Sequence, residues 1–356
     1  MRVLYFSTVN WRWIKQRPHF LAEYLSSQSI EVDYFSITPF KKQKIKRMQS
    51  GQYLKIRDVY VIPLASKFKV IEQMNIVYVK AILSNTHYDK IILTHPVQYK
   101  YLSKGQKAHA EIIYECMDNI PYFYKGSKQT EVIEEEERLC HSVGKIIVSS
   151  NYLKEKLVTQ YNVDANKIYV ILNAVDKKEF TLKVNPVDLK KPNLVYIGSI
   201  SEWVDLETLK IFADNNSSYY IYLIGPMESS IKKEFSKLSG NIIWIDSIPH
   251  SKVKDYIAAS DIMLIPFKVN ELIRGVDPVK MYEYLSMGGK VLTSYWKELD
   301  RYKDNNLVNF YSGHKEFEKK VYSLINKEKC VVRDIHFIEA NNWEIRGEEY
   351  LKVLKE

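Results

Sequence analysis

Two residues one helical turn apart, Lys280 and Glu283, follow an Asp-Pro pair in the stretch ELIRGVDPVKMYEYLSMGGKVLTS (Glu271 to Ser294). Asp277 is a good N-cap type, and Pro278 suits a first helical position, where its missing N–H would be unpaired anyway. Gly288 and Gly289 supply a stop, because glycine tolerates the left-handed conformation past a helix end. The spacing predicts a helix from Pro278 to Met287, entered from the strand-like run DIMLIPF. Its unpaired N–H groups and dipole would stabilise an anion at that end. Lys280 brings a cation to the same spot. Glu283, on the same face, can accept hydrogen bonds from a neutral diol. A cation with a helix N-terminus for phosphate, and a carboxylate for sugar hydroxyls, is the chemistry of a nucleoside diphosphate site. The spacing fits an exposed i,i+3 ion pair on a surface helix as well.

The elements that would position such a site recur along the chain. Short β-branched apolar runs alternate with longer amphipathic ones, as in βα units around a parallel sheet. Strands are expected in the first half at Val3–Phe6, Val32–Ser36, Val59–Pro63, Lys90–Thr94, Ile112–Cys116, Lys145–Ser149 and Ile168–Leu172. Helical patterns lie between them at Arg17–Gln28, Val70–Ser84, Gln129–His141 and Tyr152–Tyr161. NPVDLKKPN (Asn185–Asn193) is polar and carries two prolines, so it reads as a linker. The alternation then restarts, with strands expected at Leu194–Gly198, Tyr219–Ile224, Asn241–Ile245, Ile262–Pro266 and Lys290–Thr293. The α/β fold expected is two Rossmann-like domains facing a cleft, with ligands beyond the carboxyl ends of the strands. Residues 1–184 would form the first domain, 185–338 the second, and 339–356 a terminal helix.

Composition narrows the classes. The 356 residues are 46% hydrophobic and 27% charged, the balance of a folded globular chain. No apolar run approaches the ~18 residues that span a bilayer, and MRVLYFS reads as a first strand and not as a signal peptide. The three cysteines, Cys116, Cys140 and Cys330, are widely spaced, which argues against disulfide or zinc frameworks and for a reducing cytoplasm. A net charge of +9 calls for an anionic partner. Part of it is concentrated between Tyr34 and Arg57, where Lys41, Lys42, Lys44, Lys46, Arg47, Lys55 and Arg57 occur with no acid and with Phe40, Ile45, Met48, Tyr53 and Leu54 interleaved. Such a stretch fits an anionic membrane surface or a solvated loop. The bases form no known nucleic-acid module, and a nucleic-acid partner is not expected.

The segments RPHFLAEYLSSQSIEVDYFS, IIYECMDN, IIVSSNYLKEKL, IYVILNAVDKKEF, LVYIGSISEWVDLETL, YLIGP and SDIMLIPFKVNELIRGVDPVKMYEYLSMGGKVL occur in that order. Together they resemble bacterial GT-B glycosyltransferases of polysaccharide assembly, the group with teichuronic-acid and capsule enzymes, and more distantly the xanthan glucuronosyltransferase. The resemblance covers nearly the whole chain and is most specific from Leu194 to Ser294. It implies a donor nucleotide sugar held by the second domain and a glycan or lipid-linked acceptor held by the first. Lys280 would then bind the diphosphate and Glu283 the ribose. Gly198, Ser199 and Ser201 would let backbone N–H groups approach the phosphates, and Ile248 in WIDSIPH would line the base pocket. NNWEIRGEEYLKVLKE resembles the terminal helix that crosses back to the first domain.

The chain also departs from that pattern. Many retaining relatives carry E-x7-E here, but the position eight before Glu283 is Gly275. The basic residue usual after the second domain's first strand is absent, and Arg274 would replace part of its charge. An inverting transfer needs a base for the acceptor proton, and Asp118 in YECMDNIP resembles by position the catalytic aspartate of the xanthan enzyme. An Asx turn ahead of Pro121 is the other reading of Asp118. His95 in ILTHPVQY is a second catalytic candidate. Trp11, Trp13 and the Arg17-Pro18-His19 cluster, after the first strand, could help hold an acceptor sugar; a core role is the other reading of either tryptophan. No metal constellation stands out, so catalysis is expected to be metal-independent, with UDP as the donor nucleotide. The expected location is cytoplasmic, peripheral to the inner membrane face. A retaining, base-free GT-B enzyme and a UDP-sugar 2-epimerase-like enzyme are the alternatives.

Overall fold

A computed structural model describes residues 1–39, 51–65, 68–327 and 333–356. The chain divides into two units, Met1–Leu172 with Trp343–Glu356, and Asn173–Asn342. The boundary therefore falls at Leu172, ahead of the polar stretch expected to be a linker. That stretch belongs to the second unit and is stitched to it. Asn185 N donates to Asp255 at 2.9 Å, Lys190 N to the Tyr222 hydroxyl at 3.0 Å and Asn193 N to Asp261 at 2.9 Å.

The first unit holds seven strands: β1 (Arg2–Ser7), β2 (Glu31–Pro39), β3 (Leu54–Val61), β4 (Lys90–Leu93), β5 (Glu111–Cys116), β6 (Lys145–Val148) and β7 (Ile168–Val170). All pair in parallel in the order β3-β2-β1-β4-β5-β6-β7. The sheet is apolar on both faces because helices cover both. Leu4, Phe6, Ile91 and Leu93 pack on one side, while Val3, Tyr5, Ile92 and Ile113 pack on the other. β3 starts five residues before the expected strand. Its alternation is weak, and its register is set by pairing with β2 from Val32 opposite Leu54 to Pro39 opposite Val61.

One buried carboxylate ties this unit together. Glu115 on β5 accepts from the Tyr5 hydroxyl, from Arg17 Nε at 2.8 Å and from the Tyr350 hydroxyl at 2.9 Å. Tyr350 lies on the terminal helix Trp343–Lys355, which packs on the helix Arg17–Ser27. Phe20 and Trp343 stack with ring centroids 4.9 Å apart. Gly347 lets the two helices meet, since a Cβ there would lie 2.2 Å from the Tyr24 ring. The terminal segment thus belongs to the first unit, as the resemblance implies.

The second unit holds β8 (Asn193–Ile197), β9 (Tyr220–Ile224), β10 (Ile242–Ile245), β11 (Ile262–Ile265), β12 (Val291–Ser294) and β13 (Val308–Tyr311). Their order is β10-β9-β8-β11-β12-β13, again all parallel. The expectations did not include β13; VNFY is short and interrupted by a polar residue. In each sheet the order reverses once, beside β1 and beside β8. Such switch points are where ligands bind in open α/β sheets.

Cys116 and Cys140 are buried free thiols, and Cys330 lies outside the described residues. So do Lys41, Lys42, Lys44, Lys46 and Arg47. Of the basic stretch that is described, Lys55 is exposed, Leu54 is in the core, and the Arg57 guanidinium lies 2.7 Å from Asp33. No described helix is long and apolar enough to cross a membrane.

Candidate active site

Lys280 stands in the first turn of the helix Val279–Ser286, one residue shorter at each end than the spacing predicts. Pro278, not Asp277, occupies the N-cap position. The Asp277 carboxylate turns away to the Arg301 guanidinium, the Tyr282 hydroxyl and Asn173 N, the last at 2.6 Å. The turn ahead of the helix is thereby pinned, and its first N–H groups carry no side-chain cap.

The lysine side chain lies across the backbone at the carboxyl end of β8. Gly198 there has φ +147°, a region that favours glycine. A Cβ on it would come 2.3 Å from Lys280 Cε and 2.6 Å from Nζ. Gly225, at the end of β9 with φ +139°, is bare for the same reason; its Cβ would meet the Gly198 carbonyl oxygen at 2.3 Å. The ammonium sits 5.4 Å from the Tyr196 ring centroid and 5.7 Å from that of Phe267. Burial lowers its pKa, and the charge of Glu283 opposes that only in part. Among the described residues Lys280 has no hydrogen-bond acceptor and no ion-pair partner. A half-buried, uncommitted cation over Gly198 is a ready site for an oxyanion.

The backbone donors nearby differ from the expectation in one respect. The Gly198 N–H is used within the sheet, donating to Ile224 O at 2.8 Å, and Ile200 N donates to Pro226 O. Ser199 and Ser201 present N–H groups with no acceptor among the described residues.

Glu283 is buried and one turn beyond Lys280. Its Oε1 is held by His250 Nε2 at 2.9 Å, while Oε2 has no partner among the described residues. Burial works against the charge on His250. The Glu283 hydrogen bond and the charges of Glu283, Asp176 and Glu179 outweigh it, so the imidazole pKa is raised. The expectations named no role for His250, although it ends the quoted WIDSIPH. Its signal was a titratable residue just past a strand end. Ile248, two residues earlier, packs half-buried on the second unit's core. Arg274 is exposed, with Nη1 2.6 Å from Glu271 in its own short helix, and so does not replace the missing basic residue by a free guanidinium.

In the first unit Asp118 follows β5. Its carboxylate makes no side-chain hydrogen bond among the described residues; the turn is closed instead by Ile120 N donating to the Asp118 carbonyl at 2.8 Å. The Asx-turn alternative therefore fails. Asp118 is half-buried, and desolvation by the surrounding protein raises its pKa from 3.8 to about 7 against the pull of Arg17. His95 is differently employed. Its Nδ1 accepts from Val97 N at 3.2 Å, which leaves the proton on Nε2, 3.1 Å from the Tyr124 hydroxyl. Burial, with the charge of Lys128, lowers its pKa to about 4. With its acceptor nitrogen spent on a cap, His95 is poorly suited to take a proton.

Trp11, Arg17 and His19, expected at an acceptor, all lie in the interior. Arg17 is bound to Glu115 and to the Ile171 and Leu172 carbonyl oxygens. His19 Nδ1 accepts from Gln16 N at 3.0 Å, and its ring packs between Trp11 and Tyr34. Among the described residues no group of three His, Cys, Asp or Glu side chains is placed to hold a metal ion.

Residues 19–179 match the family described as Glycosyltransferase Family 4. The putative teichuronic acid biosynthesis glycosyltransferase TuaH of Bacillus subtilis is 24% identical over 197 residues, 51% of this chain and 50% of that protein. The match thus spans about half the length of that relative. Anabaena Alr3699/HepE, solved with UDP and glucose, superposes with a TM-score of 0.72 at 12% identity, over 100% of this chain and 99% of that one. The lipopolysaccharide outer core galactosyltransferase WaaB superposes with a TM-score of 0.66 at 16% identity, over 99% of each chain.

Proposed function

On a GT-B fold whose first half carries a glycosyltransferase family domain, we propose that this chain moves a sugar from a UDP-sugar to a hydroxyl of a glycan or lipid-linked acceptor in surface-polysaccharide assembly. The transfer inverts the anomeric carbon and uses no metal ion. The observation that carries the reading is the uncommitted Lys280 ammonium, laid over Gly198 at the end of β8, with Glu283 one turn on.

In this reading the diphosphate lies against Lys280 and the first N–H groups of the helix Val279–Ser286, with Ser199 N–H and Ser201 N–H as further donors. The ribose hydroxyls donate to Glu283 Oε2, while His250 fixes the carboxylate through Oε1. The acceptor oxygen attacks the anomeric carbon and the bond from that carbon to the diphosphate breaks. The acceptor proton passes to Asp118. Negative charge then develops on the departing diphosphate, where Lys280 and the helix dipole stabilise it. A pKa near 7 leaves Asp118 able to accept a proton at neutral pH, as a general base requires. A UDP-bound structural neighbour supports the choice of nucleotide.

Titration calorimetry tests the donor half. Lys280→Ala and Glu283→Ala should each weaken UDP binding by ~1.5–3 kcal/mol, the scale of a charged hydrogen bond. Unchanged affinity in both variants would remove this site from consideration. Transfer with the product anomer read by NMR tests the chemistry, and retention of configuration would overturn inversion.

A further inference from the structure

A buried ion pair lies behind the loop that carries Asp118. Glu136, on the helix Ser127–Ser142, and Lys156, on the helix Asn151–Tyr161, meet at 2.7 Å with side chains 0% and 2% exposed. Glu136 Oε1 also accepts from the Tyr114 hydroxyl at 2.7 Å, and Oε2 from the Tyr161 hydroxyl at 2.8 Å. Burial, followed by the charge of Glu136, raises the pKa values of Cys116 and Tyr161 beside it. Both therefore stay protonated, and Lys156 is the cation that balances Glu136.

Taking two charges out of water is costly, and an apolar pair of similar volume often holds a fold as well. Stability alone does not account for the pair. What an apolar side chain could not do is donate, and Lys156 Nζ donates to Asn119 Oδ1 at 2.8 Å. Asn119 is fully buried and adjoins Asp118. The residues before it are held in turn. Ser149 N donates to Cys116 O at 3.2 Å, Ser149 Oγ to Met117 O at 2.6 Å, and Cys116 Sγ to Asp118 O at 3.4 Å. After it, Ile120 and Pro121 enter the interior. The Asp118 carboxylate has no side-chain hydrogen bond among the described residues, so its place is set by the backbone that carries it.

We propose that Lys156 and Glu136 are positioning residues: the ammonium, balanced by the carboxylate, grips Asn119 and so sets where the Asp118 carboxyl stands beyond β5. The meaning for catalysis rests on the reading of Asp118 as the base, whereas the placement itself does not.

Linked variants of the full chain test it. Glu136→Gln/Lys156→Met keeps the size of both side chains, a partner for both tyrosine hydroxyls and the net charge, but takes the ammonium from Asn119. A change at Asp118 then reports position and not charge. Asn119→Ala removes the acceptor and spares the ion pair. Each background is made with and without Asp118→Asn, and urea midpoints are measured at pH 4 and pH 8. In the otherwise wild-type chain Asp118→Asn should raise the midpoint at pH 8 and leave it unchanged at pH 4, because the enclosed carboxyl resists ionisation. In both altered backgrounds the loop should relax toward water, and roughly half or more of that gain should disappear. A cooperative transition at pH 4 shows that each background folds. The full gain kept in Glu136→Gln/Lys156→Met would overturn the proposal. If that variant fails to fold, the full gain kept in Asn119→Ala would overturn it instead. So would the absence of any gain from Asp118→Asn in the wild-type chain. Near-normal turnover in Asp118→Asn, by contrast, would remove the base and leave the loss of the pH 8 gain as support for the placement.

Discussion

Asp118→Asn should make the protein more stable and less active at the same time. Asp118 titrates at about 7 instead of 3.8 because protein surrounds its carboxyl. The folded state therefore favours the protonated acid. Its contribution to stability is complete below pH ~4, is lost as pH rises through about 7, and remains as a penalty above that. The full difference corresponds to ~4 kcal/mol at 1.36 kcal/mol per pKa step. Because the group is partly exposed, solvent screening reduces the expected value to ~1–3 kcal/mol. Asparagine keeps the shape and cannot ionise. Urea unfolding should show the variant gaining ~1–3 kcal/mol over wild type at pH 8 and little at pH 4. Turnover should fall ~10²–10⁴-fold, the range for lost general-base catalysis, with UDP affinity near wild type. Wild-type kcat/KM should rise with pH through about 7. Near-normal turnover in the variant would refute the role of Asp118 as base, and equal stability at pH 8 would refute the burial argument beneath it.

Two further substitutions probe the proposed donor site. Gly198→Ala places a methyl where the Lys280 side chain lies and strains a φ of +147°, so UDP affinity measured by calorimetry should fall about as far as in Lys280→Ala, by ~1.5–3 kcal/mol. His250→Ala removes a group whose pKa is raised in the folded state. The stability it contributes is present below 6.5 and lost as pH rises through its folded value. Thermal melts should therefore show a larger destabilisation at pH 6 than at pH 9, and a deficit that does not change with pH would refute the His250–Glu283 coupling.

The sequence by itself determined the architecture and the helix turn that Lys280 and Glu283 share. Runs such as VLYF, KIIL and IMLI are too apolar for an edge or a surface, and their alternation with amphipathic helices admits little besides parallel sheets covered on both faces. The Lys280–Glu283 spacing likewise needs no distant information, because helical geometry puts both on one face. Tertiary structure decided where the other polar groups went. Asp277 has every local attribute of an N-cap, yet Arg301, Tyr282 and Asn173 take its carboxylate. Arg17 and His19 read as holders of an acceptor sugar until Glu115 on β5 and Tyr34 on β2 enclose them. The polar stretch from Asn185 to Asn193 reads as a linker until Asp255, Tyr222 and Asp261 bind its backbone. His250 stays anonymous until the fold sets it against Glu283. The cause is the same in each case. Backbone preference and period are properties of neighbours in sequence, whereas the fate of a charge or a donor depends on which distant residue satisfies it and how much water is excluded when it does.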